Sequence, residues 1–161
     1  MVVKKQKNHL IVMAAITKPS RMPESDNTTI DSQLVKNCWL KIKSTSGADA
    51  FIDSFYQKLM EHHPEVYSLF PADLSSQKRK LLNTLNDVIN GIEYIEELRD
   101  ELIKLGELHK NLNVEEKMFE PVIATIVTTA NSATNFTLTT EELSAWENAF
   151  RMISNIMKEA F

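Results

Sequence analysis

Residues that make tight turns are scarce in this sequence, which has three glycines and five prolines among 161 residues. β-Hairpins and phosphate-binding loops depend on glycine at positions with unusual backbone angles, so neither is expected here. Leu, Glu, Lys, Met and Ala are plentiful instead, and this balance favours helices. With 43% hydrophobic residues, the chain is long enough for one compact core and too short for two ordinary domains. We therefore expect one all-α domain.

The sequence also has little cysteine, no net basic charge and no long apolar run. The single cysteine, Cys38, excludes an internal disulfide framework and is typical of a reducing, cytoplasmic compartment. A formal net charge of −4 gives no basic field of the kind that attracts nucleic acid or an anionic membrane. The longest apolar run, residues 10–16, is far shorter than the roughly 18 residues that a membrane-spanning helix needs. We expect neither nucleic acid nor a membrane span as a partner.

The first 28 residues differ in character from the rest. Lysines precede the short apolar stretch, but Lys18 and Arg21 follow it without a clear cleavage site, so the segment is interpreted as part of the mature chain. Residues 17–28 are polar, contain two prolines and lack periodicity, which is typical of a linker. The sequence therefore predicts a flexible N-terminal extension, 1–28, and one folded domain, 29–161.

Apolar residues recur at three- and four-residue spacing through most of the predicted domain, which indicates seven or eight amphipathic helices. The first begins near Thr29, with Leu34, Cys38, Leu40 and Ile42 as its apolar positions beside Trp39. Pro64 is expected to open a short helix ending at Leu69, since proline is well placed only in a first turn. Thr139 and Glu142 form a capping box for the last helix. The other helices are predicted over 48–61, 77–90, 96–110, 115–132 and 139–160.

One apolar helical stripe ends in a histidine. Leu98, Leu102, Leu105 and His109 return to the same face of the predicted helix 96–110. Such a histidine is more often an ordinary core or surface residue than a ligand, so the stripe alone does not establish a site. The other histidines lie in the tail or next to Pro64, and no set of residues has the spacing of a structural zinc site.

An ordered set of residues raises the significance of His109. In chain order they are Phe55-Tyr56, Pro64, Leu69-Phe70-Pro71, Gln77, Leu81, Leu105-Gly106-Glu107-Leu108-His109, Val114, Phe119 and Ala145-Trp146. This pattern resembles the globin family, particularly the single-domain bacterial-type globins related to the haem domain of flavohaemoglobins. The resemblance covers roughly residues 30–161. It implies the globin fold, a three-on-three helical sandwich around haem b, with O₂ and other diatomic gases as ligands.

The resemblance also implies roles for individual residues around the iron. His109 takes the position of the proximal iron ligand, and the carbonyl of Leu105, one turn earlier, is a plausible acceptor for its second ring nitrogen. Tyr56 and Gln77 take the distal positions that contact the gas. Either residue has an ordinary alternative, since Tyr56 can cap the core and Gln77 can face solvent.

Four further residues are implied to contact haem or shape its pocket. Leu81 shares a helix face with Gln77 and would form the apolar rear of the distal side. Phe70 would pack on the haem, although an ordinary core role is as plausible, and Lys80 would turn towards a propionate. Lys80 or Tyr56 also remains open as an iron ligand in the resting state. The fourth residue, Phe119, lies on the proximal side, where the resemblance implies that Leu105 also contacts the haem.

Two departures from flavohaemoglobins affect the expected chemistry. They surround the proximal histidine with a tyrosine and a glutamate, whereas this sequence has Phe119 at the tyrosine position and stops at Phe161, where the glutamate is expected. Without a carboxylate partner the imidazole should have less anionic character, which favours reversible binding over O–O cleavage. If Tyr56 and Gln77 both donate to the gas, affinity should be high and release slow.

Three functions remain open from the sequence. The first is a binding module that takes up O₂, NO or CO for storage, scavenging or sensing. The second is a nitric oxide dioxygenase that works with an external reductase, because the flavin and nicotinamide module of flavohaemoglobins has no counterpart here. The third is a haem-free domain of globin shape that serves as a sensor or interaction module. The sequence leaves the oligomeric state undetermined.

Overall fold

The computed structural model describes residues 30–161, so the predicted extension, 1–28, lies outside the described residues. This part of the chain is all-helical and contains no strand. Its six α-helices are α1 (Ser32–Thr45), α2 (Ala48–His62), α3 (Ser75–Asn90), α4 (Arg99–Asn111), α5 (Phe119–Ala133) and α6 (Thr140–Lys158). Three short 3₁₀ helices, Pro64–Leu69, Ile92–Tyr94 and Glu116–Met118, lie between them.

Side chains beside the helix termini explain where several helices begin. Asp31 precedes α1, and its Oδ1 accepts a hydrogen bond from the backbone N–H of Leu34 at 3.1 Å. At the start of α6, Thr139 Oγ1 accepts from the Glu142 backbone N–H while the Glu142 carboxylate accepts from that of Thr139. The predicted capping box is therefore present. Pro64 opens the 3₁₀ helix at the position where a missing N–H costs nothing.

Some predicted boundaries and orientations are wrong. The helix predicted over 96–110 begins only at Arg99, because residues 95–98 form turns with three-residue hydrogen bonds after the 3₁₀ helix Ile92–Tyr94. Similarly, residues 116–118 are 3₁₀, and α5 begins at Phe119. Leu40, counted among the apolar positions of the first helix, is 58% exposed, since Val35, Cys38, Trp39 and Ile42 form the buried face of α1. Leu40 lies two residues from both Cys38 and Ile42, which turns it away from that face.

Aromatic rings form the centre of the core between α1, α2 and α6. Trp39 stacks on Trp146 with ring centroids 6.2 Å apart, and Phe51 meets both rings edge-on. The indole N–H of Trp39 donates to Asn86 Oδ1 on α3 at 2.9 Å, which connects this cluster to a fourth helix. Each such ring contributes about 1.5 to 3 kcal/mol by leaving water. The cluster therefore holds the helices around the site in fixed relative positions.

The helix packing leaves α3 and α4 apart. Helix α6 packs along α1, α4 and α5, and α2 packs on α5. Helix α3 packs on α2 and α1, whereas α4 packs on α6, and the two make no extensive contact with each other. Within residues 30–161, no helix has both the length and the apolar character needed to cross a bilayer. Side chains on these two helices are therefore candidates for a site.

Candidate functional site

Tyr56, Phe70 and Gln77 form one cluster, contributed by α2, the loop after Leu69 and α3. Tyr56 is 3% exposed, and its ring meets that of Phe70 edge-on with centroids 5.6 Å apart. Burial raises the pKa of the Tyr56 phenol to about 12, against the lowering effect of the neighbouring Gln77 side chain. The phenol is therefore protonated at neutral pH. The structure brings together two residues that are 21 positions apart in sequence.

His109 lies in the last turn of α4 with its ring partly buried. Its Nδ1 is 2.7 Å from the carbonyl oxygen of Leu105, one turn earlier, as the sequence analysis expects. Burial lowers the pKa of the imidazole, and the hydrogen bond to Leu105 opposes this effect. The ring is therefore neutral at physiological pH. With the proton on Nδ1 donated to Leu105, Nε2 has a free lone pair for a metal.

Two phenylalanines continue from His109 towards the end of the chain. The ring of Phe119, 7% exposed, lies with its centroid 6.4 Å from that of His109. Phe161 meets Phe119 edge-on at 5.5 Å. Sequence reasoning named Phe119 but missed Phe161, because nothing in a terminal residue's sequence context indicates which ring it contacts. The surroundings of the imidazole on this side are apolar.

The remaining predicted residues differ in exposure. Leu81 on α3 and Leu105 on α4 are apolar but only partly buried, which is unusual for leucines facing the interior of a helical domain. Lys80 is exposed on α3, one position from Leu81. Its contact with a propionate therefore remains a prediction. Of the residues named from the sequence, Phe70 and Gln77 are neighbours of Tyr56. Leu105 and Phe119 are neighbours of His109.

A carboxylate near the end of the chain was overlooked in the sequence. In flavohaemoglobins a glutamate partner of the proximal histidine is expected at the position of Phe161. Glu159 lies two residues before that position. In the structure its carboxylate pairs with the guanidinium of Arg99, the first residue of α4. Among residues 30–161, the groups that shift the pKa of His109 are its own burial and the Leu105 carbonyl, with no carboxylate. Glu159 is therefore engaged elsewhere.

Cys38 takes no part in either group. The thiol is fully buried in α1 and donates to the carbonyl oxygen of Glu142 at 3.3 Å. Burial, together with the charge of Glu142, raises the pKa of this thiol to about 12. A thiol with so high a pKa is a poor nucleophile and a poor metal ligand. This agrees with the packing role inferred from the sequence.

Comparison with known proteins identifies the family. Residues 53–157 match the globin family. The chain is a globin. A flavohemoprotein of Halalkalibacterium halodurans is 21% identical over 111 residues, which is 67% of this globin and 27% of the flavohemoprotein. The chain therefore spans about a quarter of that curated relative, in agreement with a bacterial-type globin.

Two solved structures share the fold. The bacterial globin of Campylobacter jejuni superposes with a TM-score of 0.66 at 24% identity, covering 80% of this globin and 94% of that protein. Ferric Aplysia limacina myoglobin superposes with a TM-score of 0.70 at 18% identity, covering 84% of this globin and 99% of the myoglobin. The predicted globin fold is therefore confirmed. As a family member, this chain is a haem globin.

The described residues fit a haem. A neutral imidazole with a hydrogen-bonded Nδ1 and a free Nε2 is the ligand that haem iron takes in globins. The helices that carry Gln77 and His109 make no extensive contact with each other. Both carry leucines that the core leaves partly exposed, among them Leu81 and Leu105, and such apolar side chains suit the porphyrin of a haem.

Proposed function

We propose that this globin holds haem b through His109 and binds O₂ reversibly with high affinity. The observation that supports the ligand assignment is the 2.7 Å hydrogen bond from His109 Nδ1 to the Leu105 carbonyl. It selects the tautomer whose Nε2 lone pair is free, and burial keeps that nitrogen unprotonated. Haem, when bound, supplies an iron with one coordination position for a diatomic gas.

The gas-binding side is assigned to Tyr56 and Gln77, with Leu81 and Phe70 as its apolar walls. Tyr56 keeps its proton because its pKa is about 12, so its hydroxyl is a hydrogen-bond donor and a poor iron ligand in the resting state. The amide of Gln77, a neighbour of this hydroxyl, offers a second donor. Two donors beside a polar gas slow its release, which favours storage, scavenging or sensing over delivery. We assign Lys80, exposed on α3, to a haem propionate.

The proximal side favours reversible binding over oxidative chemistry. An imidazole that donates to a backbone carbonyl has less anionic character than one that donates to a carboxylate, and so transfers less electron density to the iron. His109 has the former arrangement, with Phe119 beside it and Glu159 paired with Arg99. Nitric oxide dioxygenation remains the alternative activity. It would require an external reductase as a partner.

The test is the visible spectrum of the purified full chain, ferric and ferrous, with and without O₂ and CO. We expect a Soret band that shifts on adding CO to the ferrous protein. His109→Gly should lose this signature, and added imidazole should restore it by replacing the side chain. His62→Ala is the matched control, because His62 is exposed at the end of α2. A wild-type protein that takes up no added haem would contradict the proposal and favour the haem-free sensor or interaction domain.

Steady consumption of NO separates the binding module from the enzyme. With NADH, a reductase and O₂ present, a storage or scavenging globin should consume NO only to the amount of protein added. Turnover well beyond one equivalent would support the dioxygenase. Tyr56→Phe should then lower that turnover.

A further inference from the structure

Helices α4 and α6 touch backbone to backbone at Gly106. A Cβ atom added to this buried glycine would lie 2.0 Å from the carbonyl oxygen of Met157, 2.8 Å from its carbonyl carbon and 3.0 Å from its Cα. All three are backbone atoms, which cannot rotate away as a flexible side chain can. Any side chain at position 106 must therefore push the two helices apart.

This contact is next to the residues that hold the imidazole. Gly106 follows Leu105, whose carbonyl accepts from His109, and precedes His109 by three residues. A displacement of α4 at Gly106 moves the acceptor and the imidazole directly. The chain at Met157 is 51 positions away in sequence, so the contact is purely tertiary.

The end of α6 also contacts both ends of α4. Arg99, at the start of α4, pairs with Glu159. Lys110, one residue after His109, has its Nζ 3.4 Å from the carbonyl oxygen of Phe161. The Gly106–Met157 contact lies between these two. The last turn of α6 and the residues after it, 156–161, therefore support the whole length of α4.

We propose that Gly106 is a positioning residue for the iron ligand: its contact with Met157 sets the height and tilt of the His109 imidazole relative to the haem. The inference rests on the proposed function, because it takes His109 as the ligand. Two closely packed helices have a defined separation. An added methyl group cannot be accommodated at that separation, so it forces the helix backbones to shift. The ring of Phe161 against Phe119, itself beside His109, is a second contact from the same end of α6.

The test compares Gly106→Ala with Gly91→Ala in the full chain. Gly91 is a matched control, because its added Cβ would meet chiefly the flexible Leu98 side chain, at 3.0 Å, and its φ of −96° suits alanine. The readout is the iron–histidine stretching band of the ferrous, unliganded protein in resonance Raman spectra. We expect the band of Gly106→Ala to shift and that of Gly91→Ala to coincide with the wild type. A wild-type band in a haem-loaded Gly106→Ala protein would overturn the proposal.

A second readout needs no haem. In the haem-free protein, the Nδ1 proton that His109 donates to Leu105 should give an NMR signal that Gly106→Ala shifts or loses to exchange. If Gly106→Ala does not fold, Lys110→Ala and Phe161→Leu loosen the same end of α6 and should each shift the Raman band. Unshifted bands in both would overturn the proposal. Failure of the wild type to bind haem would instead contradict the proposed function.

Discussion

Among single residues, the protonation states of His109 and Tyr56 determine what each side chain can do in the site. Tyr56 is buried and His109 is partly buried, and this burial moves their pKa values in opposite directions, because it disfavours whichever form is charged. The imidazole is therefore neutral and the phenol protonated over the physiological range. One group then has a lone pair that suits a metal, and the other keeps a proton that it can donate.

Removing the Tyr56 hydroxyl should accelerate oxygen release. A hydrogen bond from the phenol to the partly charged bound oxygen contributes roughly 1.5 to 3 kcal/mol. About 1.4 kcal/mol corresponds to a tenfold change in affinity. We therefore expect Tyr56→Phe to raise the oxygen dissociation rate by about one to two orders of magnitude. Stopped-flow measurement with CO or dithionite gives this rate, and Gln77→Leu tests the second donor in the same way.

Tyr67→Phe is the matched control for the hydroxyl. Tyr67 is 61% exposed in the 3₁₀ helix Pro64–Leu69. The oxygen dissociation rate of Tyr67→Phe should therefore equal that of the wild type. Equal rates in Tyr56→Phe and the wild type would show that Tyr56 only caps the core. That alternative was already open from the sequence.

Sequence reasoning at this scale succeeded where neighbours in the chain determine the geometry. The bond from His109 to Leu105 spans one helical turn, so the helix itself brings the two groups together. Tyr56 on α2 and Gln77 on α3 are neighbours, and their placement in one pocket was predicted only through the family resemblance. Glu159 was visible in the sequence, but its pairing with Arg99 depends on how α6 lies against α4.

At the scale of elements, α6 is anchored at its start by a buried carboxylate. Burial alone would raise the pKa of Glu142, but hydrogen bonds from Lys41 and the Thr139 backbone, with the charge of Lys41, outweigh it. The net pKa lies below the usual 4.5. A carboxyl whose pKa is lower in the folded state stabilises the fold above the unfolded pKa. This contribution is lost as pH falls through the folded pKa.

Glu142→Gln should therefore lower stability at neutral pH and flatten its loss in acid. We expect a decrease of roughly 1.5 to 3 kcal/mol in the free energy of unfolding at pH 7, because the bonds to a charged group are lost. Below the folded pKa the variant and the wild type should converge. Urea unfolding at several pH values measures both effects, with the exposed neighbour in Glu141→Gln as control. A constant difference down to strongly acidic pH would contradict this explanation.

The turn after α5 contains a strained residue. Phe136 has a φ of 60° and is 72% exposed, so its ring gains little from burial while its backbone is in the left-handed region. Its N–H closes the end of α5 by donating to the Asn131 carbonyl at 2.8 Å. Asparagine tolerates this conformation better than a bulky residue does.

Phe136→Asn should therefore raise the free energy of unfolding, by up to about 1 kcal/mol. Thermal or urea unfolding measures the gain. Phe136→Leu is the control, since it retains a side chain that disfavours positive φ and should show no such gain. An equal gain in both variants would indicate that removing the aromatic ring, and not relieving strain, is responsible.

At the scale of the whole molecule, the domain boundary is open to direct test. The aromatic core, the Tyr56 cluster and the His109 cluster are all formed within residues 30–161. We therefore predict that deleting residues 1–28 leaves the Soret band, the ferrous CO spectrum and the unfolding temperature as in the full chain. Weaker haem retention in the shortened chain would contradict the boundary near residue 29.

Local spacing along the chain was enough to predict the helical class, most of the buried helix faces and the bond from His109 to Leu105, because these depend on residues within four positions of each other. Leu40 and the late start of α4 show where it failed, since packing partners decide which face is buried and where a turn tightens. The packing of α3 and α4 on other helices, and the close contact between Gly106 and Met157, could be seen only in the folded structure. Those arrangements depend on shape complementarity between distant segments, which local periodicity does not encode.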